Sequence, residues 1–142
     1  MLVEQISVFI ANKVGKIAEV VKAIGENDID IYALSIADTT DFGVLRLIVS
    51  DPGKTKEVLK EKGLIVKRSE VLAITVEDKP GGLSHALEVL KDKGISIEYT
   101  YAFIGKNVKG ATVVMKVDKP EDAVKLLEDT DINVIDAKEL YR

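Results

Sequence analysis

Apolar and polar residues alternate from Gln5 to Ile10, with Ile6, Val8 and Ile10 on one side and Gln5, Ser7 and Phe9 on the other. A period of two predicts a half-buried strand. Ile17, Val20, Val21 and Ile24 then recur at i, i+3, i+4 and i+7, which places them on one side of a helix closed by Gly25 and Asn27. Two further strands, Ile29 to Ala37 and Val44 to Val49, flank the polar turn Asp38-Thr39-Thr40-Asp41. Asp51-Pro52 offers a capping side chain followed by proline at the first helical position, so a second helix is expected to run to Lys62, with Gly63 ending it. Leu64 to Val66 opens a fourth strand and completes the order β-α-β-β-α-β.

That order then begins again. Leu72, Ile74 and Val76 match Ile6, Val8 and Ile10 at an offset of 66 residues, and Leu83, Ala86, Leu87 and Leu90 repeat the apolar stripe of the first helix at the same offset. Gly81 falls on Gly15, and Ile95 and Ile97 fall on Ile29 and Ile31. From Val113, Met115 and Val117 onward the offset is 68, with Pro120 on Pro52, so two extra residues lie near Gly105-Lys106-Asn107. Leu126, Leu127, Ile132 and Val134 complete the second copy. An internal repeat decides the fold before any single motif does. The expectation is an α+β chain of two tandem ferredoxin-like βαββαβ units, 1–68 and 69–142, each an antiparallel sheet with its helices on one face. No Gly/Ser/Pro linker separates them, so the last strand of the first unit should run almost directly into the first strand of the second.

Each unit carries a polar residue, a lysine and a glycine between its first strand and first helix: Asn12-Lys13-Val14-Gly15-Lys16-Ile17 and Asp78-Lys79-Pro80-Gly81-Gly82-Leu83. Glycine permits a sharp turn, and the helix that follows opens with unpaired N–H groups and a partial positive charge suited to a small anion. An ordinary strand-to-helix turn explains either stretch alone; the repetition favours a site. The paired turns resemble those of the ACT domain, a ligand-binding module named for amino-acid-metabolic enzymes. The second turn is close to that family's pattern, whereas the first has Asn12 in place of the usual acid and Val14 in place of the usual proline.

The resemblance implies a non-enzymatic regulatory protein that binds a free amino acid at the junction of two ACT units. Backbone N–H groups around Gly15, Lys16 and Ile17, or around Gly81, Gly82 and Leu83, would receive the carboxylate. Asn12 or Asp78, with Asp38 or Asp41, would receive the ammonium, and Thr39 and Thr40 would add hydroxyls. Val14, Phe42 and Tyr101 are the remaining expected contacts. The run from Asp38 to Gly43 is also explained as a hairpin turn, and Tyr99, Tyr101 and Phe103, which face one way, as plain core. A homodimer is expected, because exposed sheet edges need covering. The alternative is a subunit that docks a separate amino-acid-biosynthesis enzyme, such as acetolactate synthase, whose small subunit also resembles this chain.

Composition narrows the classes. A net charge of -4 and a pI near 5.1 argue against nucleic acid and against anionic membranes as partners. The RNA-recognition motif shares the element order, but strands Val44–Val49 and Thr112–Val117 carry no aromatic residue on which a base could stack. With no cysteine and one histidine, His85, read as solvent-facing, no catalytic set, cofactor or metal site is expected. The N-terminus lacks the regions of a secretory signal and no apolar run approaches the length of a membrane span, so a cytoplasmic protein is expected.

Overall fold

The computed structural model describes residues 2–38, 41–104 and 110–141. It divides into two compact units, one of Glu4–Ser69 and one of Met1–Val3 with Glu70–Arg142. The elements of the first are β1 (Val3–Ala11), α1 (Lys16–Glu26), β2 (Ile31–Asp38), β3 (Phe42–Val49), α2 (Pro52–Glu61) and the start of β4 (Ile65–Val76). The second continues β4 and adds α3 (Gly82–Asp92), β5 (Ile97–Ala102), β6 (Ala111–Val117), α4 (Pro120–Leu127), β7 (Asn133–Val134) and α5 (Ala137–Leu140). Both are βαββαβ units, the tandem α+β arrangement expected from the repeat. The short strand Leu64–Val66 and the strand around Leu72 are in fact one continuous strand of 12 residues.

In the first unit β3 lies antiparallel between β1 and β2, pairing Val8 with Leu45 and Leu45 with Ile36. The face that carries Ile6, Val8, Ile10, Leu45, Leu47 and Val49 packs with Val20, Ala23 and Ile24 of α1 and Leu59 of α2. Asp51 caps α2, accepting a hydrogen bond from the Lys54 N–H at 3.1 Å. The helix stripe is thus Val20-Ala23-Ile24; Ile17, expected on it, is 39% exposed because it lies one turn beyond the core. In the second unit β6 lies antiparallel between β4 and β5, and β7 pairs with β4 on its other side. Its core repeats the scheme with Leu72, Ile74, Val76, Leu90, Met115 and Leu127.

A register shift recurs at the same place in both hairpins, between Ile31 and Ala33 in β2 and between Ile97 and Tyr99 in β5. One extra residue in a strand moves every later side chain to the other face. Ile31 and Ile97 therefore face the helices, opposite Val49 and Val117, while Leu34, Ile36 and Asp38 take over that face further along β2.

One expectation changes. The polar side of β1 is not open: Gln5 and Ser7 are buried, with Gln5 Nε2 donating to Ser7 Oγ at 3.3 Å and to Ser69 Oγ at 3.5 Å, and Phe9 alone of the three is exposed. Ala33 and Ile48 are buried with them, so both faces of this sheet are covered. The closing strand of the second unit is only two residues long: Ile135 N–H adds one more bond, to Ala73 C=O at 2.8 Å, and Asp136 then caps α5.

Candidate ligand-binding turns

Gly15 precedes α1 at φ 86° and Gly81 precedes α3 at φ 85°. This left-handed conformation is one that glycine alone adopts without steric cost, so the local backbone by itself requires both residues. The turns close alike: Lys16 N–H donates to Lys13 C=O at 3.3 Å, and Gly82 N–H donates to Lys79 C=O at 3.0 Å. The first helical bonds follow, Glu19 N–H to Gly15 C=O at 3.0 Å and His85 N–H to Gly81 C=O at 2.9 Å. Between them the N–H groups of Ile17 and Ala18, and of Leu83 and Ser84, have no partner among the described residues. Each helix thus presents two free donors at its positive end.

Around the first turn, Asn12 N–H donates to Asp41 C=O at 3.1 Å and Asn12 Nδ2 donates to Asp38 Oδ1 at 3.2 Å. Asp38 pairs across β3 with Gly43, which pairs with Ile10, so all three occupy the helix-facing side beside the start of α1. Phe42 pairs with Ala11 one residue earlier and therefore lies on the opposite face, 63% exposed. Val14 is fully exposed, and Lys16 is held by Glu19 at 3.3 Å. Thr39 and Thr40 lie outside the described residues. The structure thus gathers Asn12, Gly15, Ile17 and Asp38, with Asp41 contributing its carbonyl, and sets Phe42 apart.

The second turn is chemically different. A Cβ on Gly82 would stand 2.0 Å from the Glu77 carbonyl oxygen, so this glycine is required by the close pass of its own chain. Lys79 Nζ lies 2.7 Å from Glu77 Oε2; the hydrogen bond and charge of the lysine hold the Glu77 carboxyl below its usual pKa, and Glu77 raises that of Lys79. Asp78 and Leu83 are exposed. Tyr101 pairs with Val114, on the sheet face away from α3, so the turn and this ring do not meet within the unit. Its neighbour on that face is Tyr99, with ring centroids 6.4 Å apart.

A groove of about 420 Å³ runs beside the second turn, lined by Val76, Glu77, Lys79, Gly81, Gly82, His85 and Asp131 among others. His85 Nε2 lies 2.8 Å from Asp131 Oδ2, both side chains largely in solvent. Lys79 is the lysine of the turn read from the sequence; Glu77 and Asp131 were not singled out there. Asp131, in the bend before β7, falls on Gly63 in the repeat, so its pairing with His85 of α3 shows only in the fold. The groove carries the Glu77–Lys79 ion pair and the His85–Asp131 hydrogen bond, and no group of three or more potential metal ligands occurs among the described residues.

Two tandem ferredoxin-like units, each with a glycine-opened first helix, define a class of duplicated α+β domains. The family model for the ACT domain pair matches residues 1–142, and the chain belongs to that family. Protein BT0572 from Bacteroides thetaiotaomicron is similar over 100% of this chain and 97% of its own, at 35% identity and a TM-score of 0.90. The regulatory subunit of aspartate kinase from Thermus thermophilus, in its ligand-free form, shares 14% identity over 90% of this chain and 91% of its own, at a TM-score of 0.63. The corresponding subunit from Thermus flavus shares 14% over 87% and 86%, at 0.60. At these identities the Thermus proteins show a common fold. No curated protein matches the chain. No helix among the described residues is long and apolar enough to cross a membrane.

Proposed function

We propose that the chain is a non-enzymatic regulatory protein that binds a free amino acid at the glycine turn of an ACT unit, with a neighbouring ACT unit completing the site. The observation that carries this reading is the first turn. Free N–H groups of Ile17 and Ala18 and the acceptors of Asn12 and Asp38 stand at one end of one sheet, as a zwitterion requires. Charge-assisted hydrogen bonds of about 1.5–3 kcal/mol each would, in a set of a few, support an affinity on the order of micromolar. Membership of the ACT family supports the same reading. The protein works in the cytoplasm as a homodimer, whose association covers edge strands such as β2 and β5, each paired on one side among the described residues.

A thermal-shift screen against the twenty amino acids tests this, because a ligand that binds only the folded state raises its melting temperature. A selective rise with one or a few amino acids is expected. No rise with any of them at millimolar concentration would refute the sensor reading and favour a subunit that docks a biosynthetic enzyme such as acetolactate synthase, to be sought by pull-down from the native host.

A further inference from the structure

We infer that the amino acid held by the first unit is one with an aliphatic side chain, and that Ile17, Ile36 and Gly43 select it. This rests on the amino-acid reading above and names the ligand class for that site. Two observations carry it: the side chains that face the Asn12–Asp38 pair, and their replacement in the second unit.

With Asn12 Nδ2 committed to Asp38, the Asn12 Oδ1 and the second Asp38 oxygen have no donor among the described residues and remain as acceptors on the helix-facing side of the sheet. Ile36, two residues before Asp38 on the same face, is 44% exposed. Ile17, on the first turn of α1, extends the inward stripe of Val20 and Ile24 over this end of the sheet and is 39% exposed. On the same face Gly43 pairs with Asp38 and Ile10, and a Cβ there would stand 3.6 Å from Ile10 Cγ1 and 3.8 Å from Ile36 Cγ2. Those are ordinary van der Waals separations, so the space above Gly43 admits a carbon between two isoleucines. A ligand whose ammonium meets Asp38 brings its side chain against Ile17, Ile36 and this space. A charged or amide side chain there would lose water without gaining a partner. An aliphatic one buries apolar surface at no such cost.

The second unit lacks this arrangement. Val8 pairs with Leu45 and Leu45 with Ile36; Ile74 pairs with Val113 and Val113 with Ala102, so Ala102 stands where Ile36 does and Ile104 where Asp38 does. Leu83 keeps the place of Ile17, but the smaller Ala102 and the apolar Ile104 remove the strand isoleucine and the acid from the other two positions, which assigns aliphatic selection to the first unit.

The test is calorimetric titration of the full chain with L-valine, L-leucine, L-isoleucine, L-aspartate and L-lysine. Saturable heat with one or more of the aliphatic three, and none with the charged two, is expected. Asp38→Ala should then weaken binding about ten-fold or more, the loss of one charge-assisted hydrogen bond. Gly43→Ala adds a carbon that the backbone accommodates, and should weaken aliphatic binding to a similar degree by filling the space it needs. Preferential binding of lysine or aspartate would overturn the aliphatic assignment and leave the amino-acid reading standing. Aliphatic binding unchanged in folded Asp38→Ala and Gly43→Ala proteins would overturn the assignment to the first unit. Silence with all five, while the thermal-shift screen responds to another amino acid, would overturn the aliphatic assignment alone; no response to any of the twenty in that screen would overturn the amino-acid reading and this inference together.

Discussion

Gly82→Ala should be among the most destabilising single-atom additions available in this chain. The new Cβ would lie 2.0 Å from the Glu77 carbonyl oxygen and 3.0 Å from its carbon. Carbon and oxygen sit comfortably at roughly 3.3 Å or more, so backbone must move by over about 1 Å. The obstacle is main chain between β4 and α3, and it cannot rotate aside as a side-chain tip would. Overpacking of this kind costs about 1–3 kcal/mol, and a backbone obstacle puts it at about 3. Gly81 is the internal control: no atom lies within 4 Å of its added Cβ, and only its φ of 85° resists substitution. That left-handed cost is about 1–2 kcal/mol. For a chain of this size each kcal/mol shifts the melting temperature by about 2–4 °C, so Gly82→Ala should melt roughly 6–12 °C lower and Gly81→Ala roughly 2–8 °C lower. Scanning calorimetry of the two variants and the parent reads both. A Gly82→Ala protein that melts within about 2 °C of the parent, or above Gly81→Ala, would refute the steric argument.

Asp51→Ala removes the side chain that accepts from Lys54 N–H at the start of α2 and should cost about 0.5–2 kcal/mol in urea unfolding, with Asp51→Asn retaining most of it. Lys79→Met removes the hydrogen bond and charge that lower the Glu77 pKa, so the Glu77 titration followed by NMR should move up toward the ordinary carboxylate range. Because the folded pKa is lowered, the Glu77–Lys79 pair contributes above the unfolded pKa of the glutamate and is lost as pH falls through the folded value; the variant should lose that acid-range dependence.

The element order and the duplication were legible because the apolar positions of β1, α1 and β3 recur at nearly one offset, and a packed sheet-and-helix layer tolerates little else at those positions. Asp51-Pro52 was legible for a local reason, a cap and a helix start written in adjacent residues. Alternation did not reveal that Gln5 and Ser7 are buried. Polar residues on one side of a strand read as solvent-facing, and only the folded chain shows that the side is covered. Ile132 and Val134 marked the close of the second unit, but not that Asp136 turns the chain into α5 after a strand of two residues.

The candidate site depends on a feature that apolar alternation cannot show. Read as an unbroken strand, Ile31 would share its face with Ala33, Ser35 and Ala37, leaving Ile36 and Asp38 turned away from α1. The register shift between Ile31 and Ala33 reverses this and brings Ile36 and Asp38 to the helix side. The matching shift between Ile97 and Tyr99 sends Tyr99 and Tyr101 to the face away from α3 and brings Thr100 and Ala102 to the helix side. The two units therefore share the turn, the left-handed glycine and the bulge, and differ in the side chains that the bulge delivers. Backbone geometry held in common cannot explain a preference for one unit, so any such preference comes from the side chains that differ: Ile36 and Asp38 against Ala102 and Ile104 on the strand, and Asn12 and Ile17 against Asp78 and Leu83 at the turn.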